Sequence, residues 1–283
     1  MIKRSDGVEI MNARTKNVTI ARETLDIIKR GSYTSLNGNQ VDISSSLDLA
    51  IKGTFLDKRV PSKKEYVSDL KPVIEVTNET TAQAAVRLAA LGKENIVALN
   101  FASARNPGGG FLSGALAQEE DLCRSSGLYA CTKGKPMFYN ENILCEGTLY
   151  THNMIYSPKV PFFRDEHNMF LEEPFTLSII SAPAPNLTSM SAEYRDSEDG
   201  ENEIYFTLYN RLEKILQIAE EQGHKTIILG AWGCGAFGND ADQVALITKD
   251  VLTRVPMFEH VCFAVYDHRD PPTVYESFKR KFV

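Results

Sequence analysis

The sequence predicts an α/β domain whose sheet is covered by helices on both faces. Short β-branched runs bounded by turn residues alternate with helical patterns along most of the chain. Several of those runs are almost continuously apolar, as strands buried on both faces are. Two glycine-rich segments lie in the loops that leave apolar runs, where sheets of this kind meet their ligands. The 283 residues suffice for one large domain with a substantial core.

From the N-terminus, residues 18–30 carry a helical pattern, and residues 31–46 are polar and rich in Ser, Asn and Gly. We read residues 1–65 as an N-terminal extension packed on a core domain of residues 66–283. The first strand is predicted at 73–76. A helix follows at 79–91, with Thr77, Asn78, Thr80 and Thr81 offering caps, Ala82, Ala85, Leu88 and Ala89 forming the apolar stripe, and Gly92 ending it. Strands at 96–101 and 177–182 come next. The acidic segment 193–203 is expected to be a solvated loop. A helix at 204–221 places Tyr205, Leu208, Leu212, Ile215, Leu216 and Ala219 at helical spacing and stops before Gly223. A strand at 226–230, a helix at 242–255 that stops before Pro256, and a strand at 261–266 complete the pattern.

Composition excludes several classes of function. No run approaches the roughly 18 apolar residues needed to span a bilayer. The N-terminal residues lack the apolar stretch and cleavage site of a secretory signal, so the expected location is cytoplasmic. A net charge of −6 without any basic block argues against a general grip on nucleic-acid phosphates. The five cysteines form no Cys-x-x-Cys pair and the histidines lack metal-ligand spacing, so neither a disulfide framework nor a metal site is expected.

The chemistry is concentrated after the strand at 96–101. There Gly108-Gly109-Gly110 is followed, seven residues later, by Gln118-Glu119-Glu120. Three glycines let backbone N–H groups approach an anion or a sugar closely, yet a triplet by itself also fits a flexible turn. The spacing matches neither a phosphate-binding Gly-x-x-x-x-Gly-Lys loop nor a dinucleotide fingerprint. In the helix expected from about Ala115, Glu119 and Glu120 fall on the same side as Cys123, Ser126, Gly127 and Ala130. Gln118, Asp121, Arg124 and Ser125 fall on the opposite, outward side. Carboxylates on an inward stripe are costly unless used, and partial burial raises a carboxyl pKa toward the range of a general acid or base. A second loop runs Gly230-Ala231-Trp232-Gly233-Cys234-Gly235-Ala236-Phe237-Gly238 between a strand and a helix. It fits a diphosphate cradle with Phe237 as a covering plate, or else a core turn.

These residues together resemble the microbial type of poly(ADP-ribose) glycohydrolase, built on a macrodomain. The likeness extends through Val76-Thr77-Asn78, the stretch from Leu99 to Pro107, Tyr156-Ser157-Pro158, the stretch from Ser181 to Asn186, and the loop at 233–238. It implies a three-layer α/β/α, macrodomain-like mixed sheet and a cleft for ADP-ribose. It assigns the essential carboxylate to Glu120 and a sugar-holding role to Glu119. It places the diphosphate loop at Gly233, Cys234, Gly235, Ala236, Phe237 and Gly238, with Phe237 ordering the terminal ribose. Asn106, Gly108, Gly109, Gly110 and Gln118 complete the expected substrate-binding set. The implied reaction is hydrolysis of the ribose–ribose bond of poly(ADP-ribose) from the chain end, releasing ADP-ribose without a cofactor. The implied partner is the polymer or an ADP-ribosylated protein. Removal of single ADP-ribosyl groups and non-catalytic ADP-ribose binding are the alternatives.

Overall fold

A computed structural model of the chain describes residues 4–60, 70–255 and 257–283. The proposed boundary between residues 65 and 66, and Pro256, lie outside the described residues.

The elements follow in chain order. The N-terminal part comprises α1 (Arg4–Arg30), β1 (Ser32–Thr34), β2 (Gln40–Asp42), α2 (Ser44–Gly53) and β3 (Phe55–Asp57). Next come β4 (Val73–Thr77), α3 (Thr81–Ala90), β5 (Ile96–Phe101), α4 (Gln118–Ser125), α5 (Leu128–Lys133) and α6 (Pro136–Leu144). A long hairpin of β6 (Met154–Arg164) and β7 (Phe170–Ala182) is followed by α7 (Ala192–Arg195) and α8 (Glu198–Glu221). The last elements are β8 (Thr226–Leu229), α9 (Ala241–Arg254), β9 (His260–Ala264) and α10 (Thr273–Phe282).

Seven strands form one mixed sheet in the order β3-β6-β7-β5-β8-β9-β4. The pairs from β7 to β4 are parallel, and β6 is antiparallel to both its neighbours. Side chains alternate between two cores, as the period of a strand requires. Val97, Leu99, Ile227, Leu229, Val261 and Phe263 pack with Leu208, Leu212 and Ile215 of α8 and with Val244, Ile247 and Val251 of α9. Ala98, Ile179, Ile228 and Cys262 point the other way, onto Ala21 of α1, Leu88 of α3, Leu122 and Cys123 of α4 and Leu128 of α5. The result is a three-layer α/β/α structure.

Several expectations need correction. The acidic segment 193–203 is helical: α7 occupies part of it, and Ser197, whose Oγ accepts from Gly200 N at 3.1 Å, caps α8. Glu198, Asp199 and Glu201 then lie in the first turn of α8, where negative charge complements the helix dipole. The N-terminal helix runs through residues 4–30 rather than beginning near residue 18. Strand β6 escaped the sequence reading because Pro158 and Pro161 interrupt it; its register shifts between Ser157 and Val160. The N-terminal part also supplies a strand to the sheet, since Phe55, Leu56 and Asp57 pair with Tyr156, Ile155 and Met154.

Candidate active site

Because β5 and β8 are parallel neighbours, with Ile96 opposite Thr226 and Ala98 opposite Ile228, the segments that leave them emerge at the same edge of the sheet. A cleft of about 710 Å³ lies there. Glu119 and Glu120 line it from α4, and Gly233, Cys234, Gly235, Ala236 and Phe237 line it from the loop after β8.

Both glutamates are buried, at 3% and 7% exposure. Glu119 Oε2 accepts from Ser103 N at 2.7 Å and Oε1 from Asn100 Nδ2 at 3.3 Å. Burial nevertheless pushes the Glu119 carboxyl up to about 8, and the neighbouring Glu120 charge adds to the rise. Asn100 suits either state: its Nδ2 donates to a carboxylate, and a half-turn of the carboxamide would present its unpartnered Oδ1 to a carboxylic acid. Glu120 Oε1 accepts from Gly110 N at 2.7 Å, while its Oε2 has no partner among the described residues. A buried oxygen without a partner beside a cleft is poised to meet a ligand.

The glycine triplet serves these carboxyl groups. Gly109 has φ +56°, and a Cβ on it would lie 2.6 Å from Glu120 Oε1 and 3.0 Å from Glu119 Oε2. Only glycine combines that conformation with that proximity. Gly108, Gly109 and Gly110 stand beside the carboxyl groups and are not among the residues lining the cleft. Asn106 is exposed, also outside the lining, and its carbonyl accepts from Gly109 N at 2.9 Å. Gln118 reaches the cleft wall, but its polar atoms are engaged: Oε1 accepts from Phe101 N, and Nε2 donates to Leu99 O and Thr81 Oγ1. It pins α4 to the end of β5.

One face of α4 departs from expectation. Arg124 and Ser125, predicted to face outward, are buried. Helix α1 covers them: Thr24 Oγ1 donates to Arg124 O at 2.8 Å, and the Arg124 guanidinium turns back to Ala115 O at 2.6 Å.

In the loop after β8, Trp232 is buried and donates Nε1–H to Ala182 O at 3.1 Å. Gly233, at φ +77°, leaves space that Asn239 and Ala184 occupy on either side. Asn239 Nδ2 ties the loop to Pro185 O at 2.8 Å and to Gly233 O at 3.1 Å. Among the described residues, the N–H groups of Gly235, Ala236 and Phe237 have no intramolecular acceptor. Three consecutive free donors at a strand end, ahead of the N-terminus of α9, are the groups an anion cradle requires. Phe237 is half-buried at the cleft, and Gly238 is exposed beside an adjoining hollow.

The far end of the cleft was not foreseen. Glu79, Thr80 and Thr81 from the turn before α3, and residues 264–269 after β9, line it. Asp267 organises this turn: Asn78 and Asp267 exchange two hydrogen bonds, and Asp267 Oδ2 accepts from Val274 N. The Arg269 guanidinium beside it holds the Asp267 carboxyl well below the usual carboxylate range. The available signal was positional, a polar and aromatic cluster directly after the last apolar run. Among the described residues, no group of three or more His, Cys, Asp or Glu is placed to hold a metal ion. No described helix is long and apolar enough to cross a membrane.

Comparison with known proteins gives a consistent result. The family described as microbial-type PARG, catalytic domain, matches residues 21–165. A crystal structure of poly(ADP-ribose) glycohydrolase from Thermomonospora curvata shares 39% identity, with 95% of this chain and 100% of that one covered, at a TM-score of 0.86. The same enzyme bound to the inhibitor ADP-HPD gives 41% identity over the same coverage, also at 0.86. The Deinococcus radiodurans glycohydrolase in complex with ADP-ribose shares 38% identity, with 83% of this chain and 96% of that one covered, at 0.74. No curated protein matches the chain.

Proposed function

We propose, from the premise that this chain belongs to the microbial-type poly(ADP-ribose) glycohydrolase family, that it hydrolyses the ribose–ribose O-glycosidic bond of poly(ADP-ribose) at the chain end and releases ADP-ribose. The observation that carries the reading is that the unsatisfied carboxyl of Glu120 and the free N–H groups after Cys234 share one cleft. One wall suits a diphosphate, and the other suits acid–base work on the attached sugar.

In this reading, Glu120 in its acid form protonates the leaving ribose oxygen as the bond to the anomeric carbon breaks and an oxocarbenium-like centre develops. The resulting carboxylate then takes a proton from the incoming water, which adds to the anomeric carbon. Proton and charge return to their starting places, so one residue serves both steps. Glu119 is not a second nucleophile. Its oxygens are occupied by Ser103 and Asn100, and it braces the sugar side of the site. The loop N–H groups of residues 235–237 hold the diphosphate, whose negative charge stabilises the ribosyl cation. Phe237 orders the ribose between the two walls. The chemistry requires no cofactor, and the reading places the enzyme in the cytoplasm.

Glu120→Gln tests the assignment. ADP-ribose release from polymer should fall by about 10² to 10⁴, the usual span for losing a general acid–base group. Binding of free ADP-ribose should stay within about threefold, because the diphosphate wall is untouched. Turnover near the parent rate would reject the mechanism.

A further inference from the structure

The most deeply buried cation among the described residues has no place in the chemistry above. Arg211, on α8, is fully buried and has no acidic partner among the described residues. Burying a guanidinium without a counter-ion is costly, and here burial draws its pKa down to about 9. Its compensation comes from backbone carbonyls of two separate segments. Nη1 donates to Pro183 O at 2.8 Å, and Nη2 donates to Leu149 O and Tyr150 O.

Both segments support the second glycine loop. Pro183 directly follows β7, and two residues later Pro185 O accepts from Asn239, the residue that closes the loop. Asn186 N donates to Thr148 O at 2.9 Å, which joins the two gripped segments, and Leu187 N donates to Phe237 O at 2.9 Å. Tyr150 adopts φ +63°, a conformation a non-glycine residue holds only when its surroundings enforce it. Its ring lies against Phe237, with centroids 6.3 Å apart.

We propose that Arg211 is a positioning residue for Phe237 and the diphosphate loop: by clamping the carbonyls of Leu149, Tyr150 and Pro183 it holds the surface on which that loop is built. The proposal rests on the hydrolase reading, in which Phe237 orders the ribose.

A double-mutant cycle tests it, with Arg211→Met, Phe237→Ala and the pair, measured as kcat and KM for ADP-ribose release from polymer. Arg211→Met should lower kcat about tenfold or more, and more than it raises KM, because a misplacement of about 1 Å can cost up to about a hundredfold in rate. The pair should be no more than about twofold slower than Phe237→Ala alone, since residues acting through one another are not additive. Arg211→Lys, which keeps a donor, should recover part of the rate. Trp232, the chain's single tryptophan, sits in the same loop. Its acrylamide quenching should rise in Arg211→Met while cooperative thermal unfolding persists. Additive rates, or a folded Arg211→Met with parent kcat and unchanged quenching, would overturn the proposal. Should Arg211→Met fail to fold, Arg211→Lys takes its place in the cycle: coupling to Phe237 supports the proposal, and parent kcat with unchanged quenching sinks it. Failure of the hydrolase reading shows separately, as no ADP-ribose release from polymer by the parent protein.

Discussion

Replacing Gly109 by alanine separates backbone strain from damage to the carboxyl pair. The new Cβ would stand 2.6 Å from Glu120 Oε1, whereas ordinary contact begins at 3.4 Å, so that oxygen must retreat by about 0.8 Å. The retreat also loosens the bond from Gly110 N, and Glu119 Oε2, 3.0 Å from the Cβ, blocks sideways relief. A displacement near 1 Å costs about a hundredfold in rate. The left-handed conformation at φ +56° adds roughly 1–2 kcal/mol of strain to the folded state. For a chain of this size that lowers Tm by about 2–8 °C. Gly223→Ala is the matched control, because it has φ +78° and nothing within 4 Å of the added methyl. Both variants should melt a few degrees early, and only Gly109→Ala should lose turnover, measured as initial rates of ADP-ribose release on saturating polymer. Rates for the two variants within about threefold of each other would refute the claim that the triplet exists to make room for the carboxyl groups.

Three further outcomes follow from the structure. In Glu119→Gln a buried acid whose pKa is raised to about 8 is replaced by a neutral isostere. Between about pH 4.5 and 8 the folded protein holds a proton that the unfolded chain has released, so the parent loses stability as pH rises through that window, by at most about 1.4 kcal/mol for each pH step of one; the Tm advantage of the variant should widen from pH 5 to pH 8, and a constant difference would contradict the account. Asp240→Ala removes the side chain that accepts from Gln243 N at 2.8 Å and caps α9, so Tm should drop by the equivalent of about 1 kcal/mol in calorimetry. The two arginines lining the cleft are already engaged, Arg124 with Ala115 O and Arg269 with Asp267, so KM for polymer should change less than about threefold between 50 and 200 mM salt; a steep salt dependence would reveal a phosphate track elsewhere.

Local order explains what could be read in advance. Strand β5 has the predicted bounds, because a largely apolar run, broken only by Asn100, gives way to the polar segment that leads into the glycine triplet. Helix α3 begins at the expected caps: Thr80 and Gln83 form a reciprocal capping box. The misreadings share a physical origin. Acid content outweighed a single serine cap at the start of α8, and two prolines hid β6, which accommodates them with a register shift. Helical periodicity showed which residues of α4 share a side, but it could not show that α1, about 100 residues earlier in the chain, covers the opposite side. The turn at 264–269 was missed for the same reason, since Asn78 and Asp267 are 189 residues apart.

By itself the sequence determined the alternation of strands and helices, the glycine triplet, the paired acids and the inward face on which those acids lie. These are short-range properties, set by side-chain periodicity and by backbone conformations that glycine alone adopts freely. Only the tertiary structure decided that the paired acids and the loop after β8 face one cleft, because that depends on β5 and β8 pairing in parallel across some 130 residues of chain. It also decided how the acids differ, leaving Glu119 enclosed by Asn100 and Ser103 and Glu120 with a free oxygen. Burial and hydrogen bonding come from distant elements, and no window of sequence contains them.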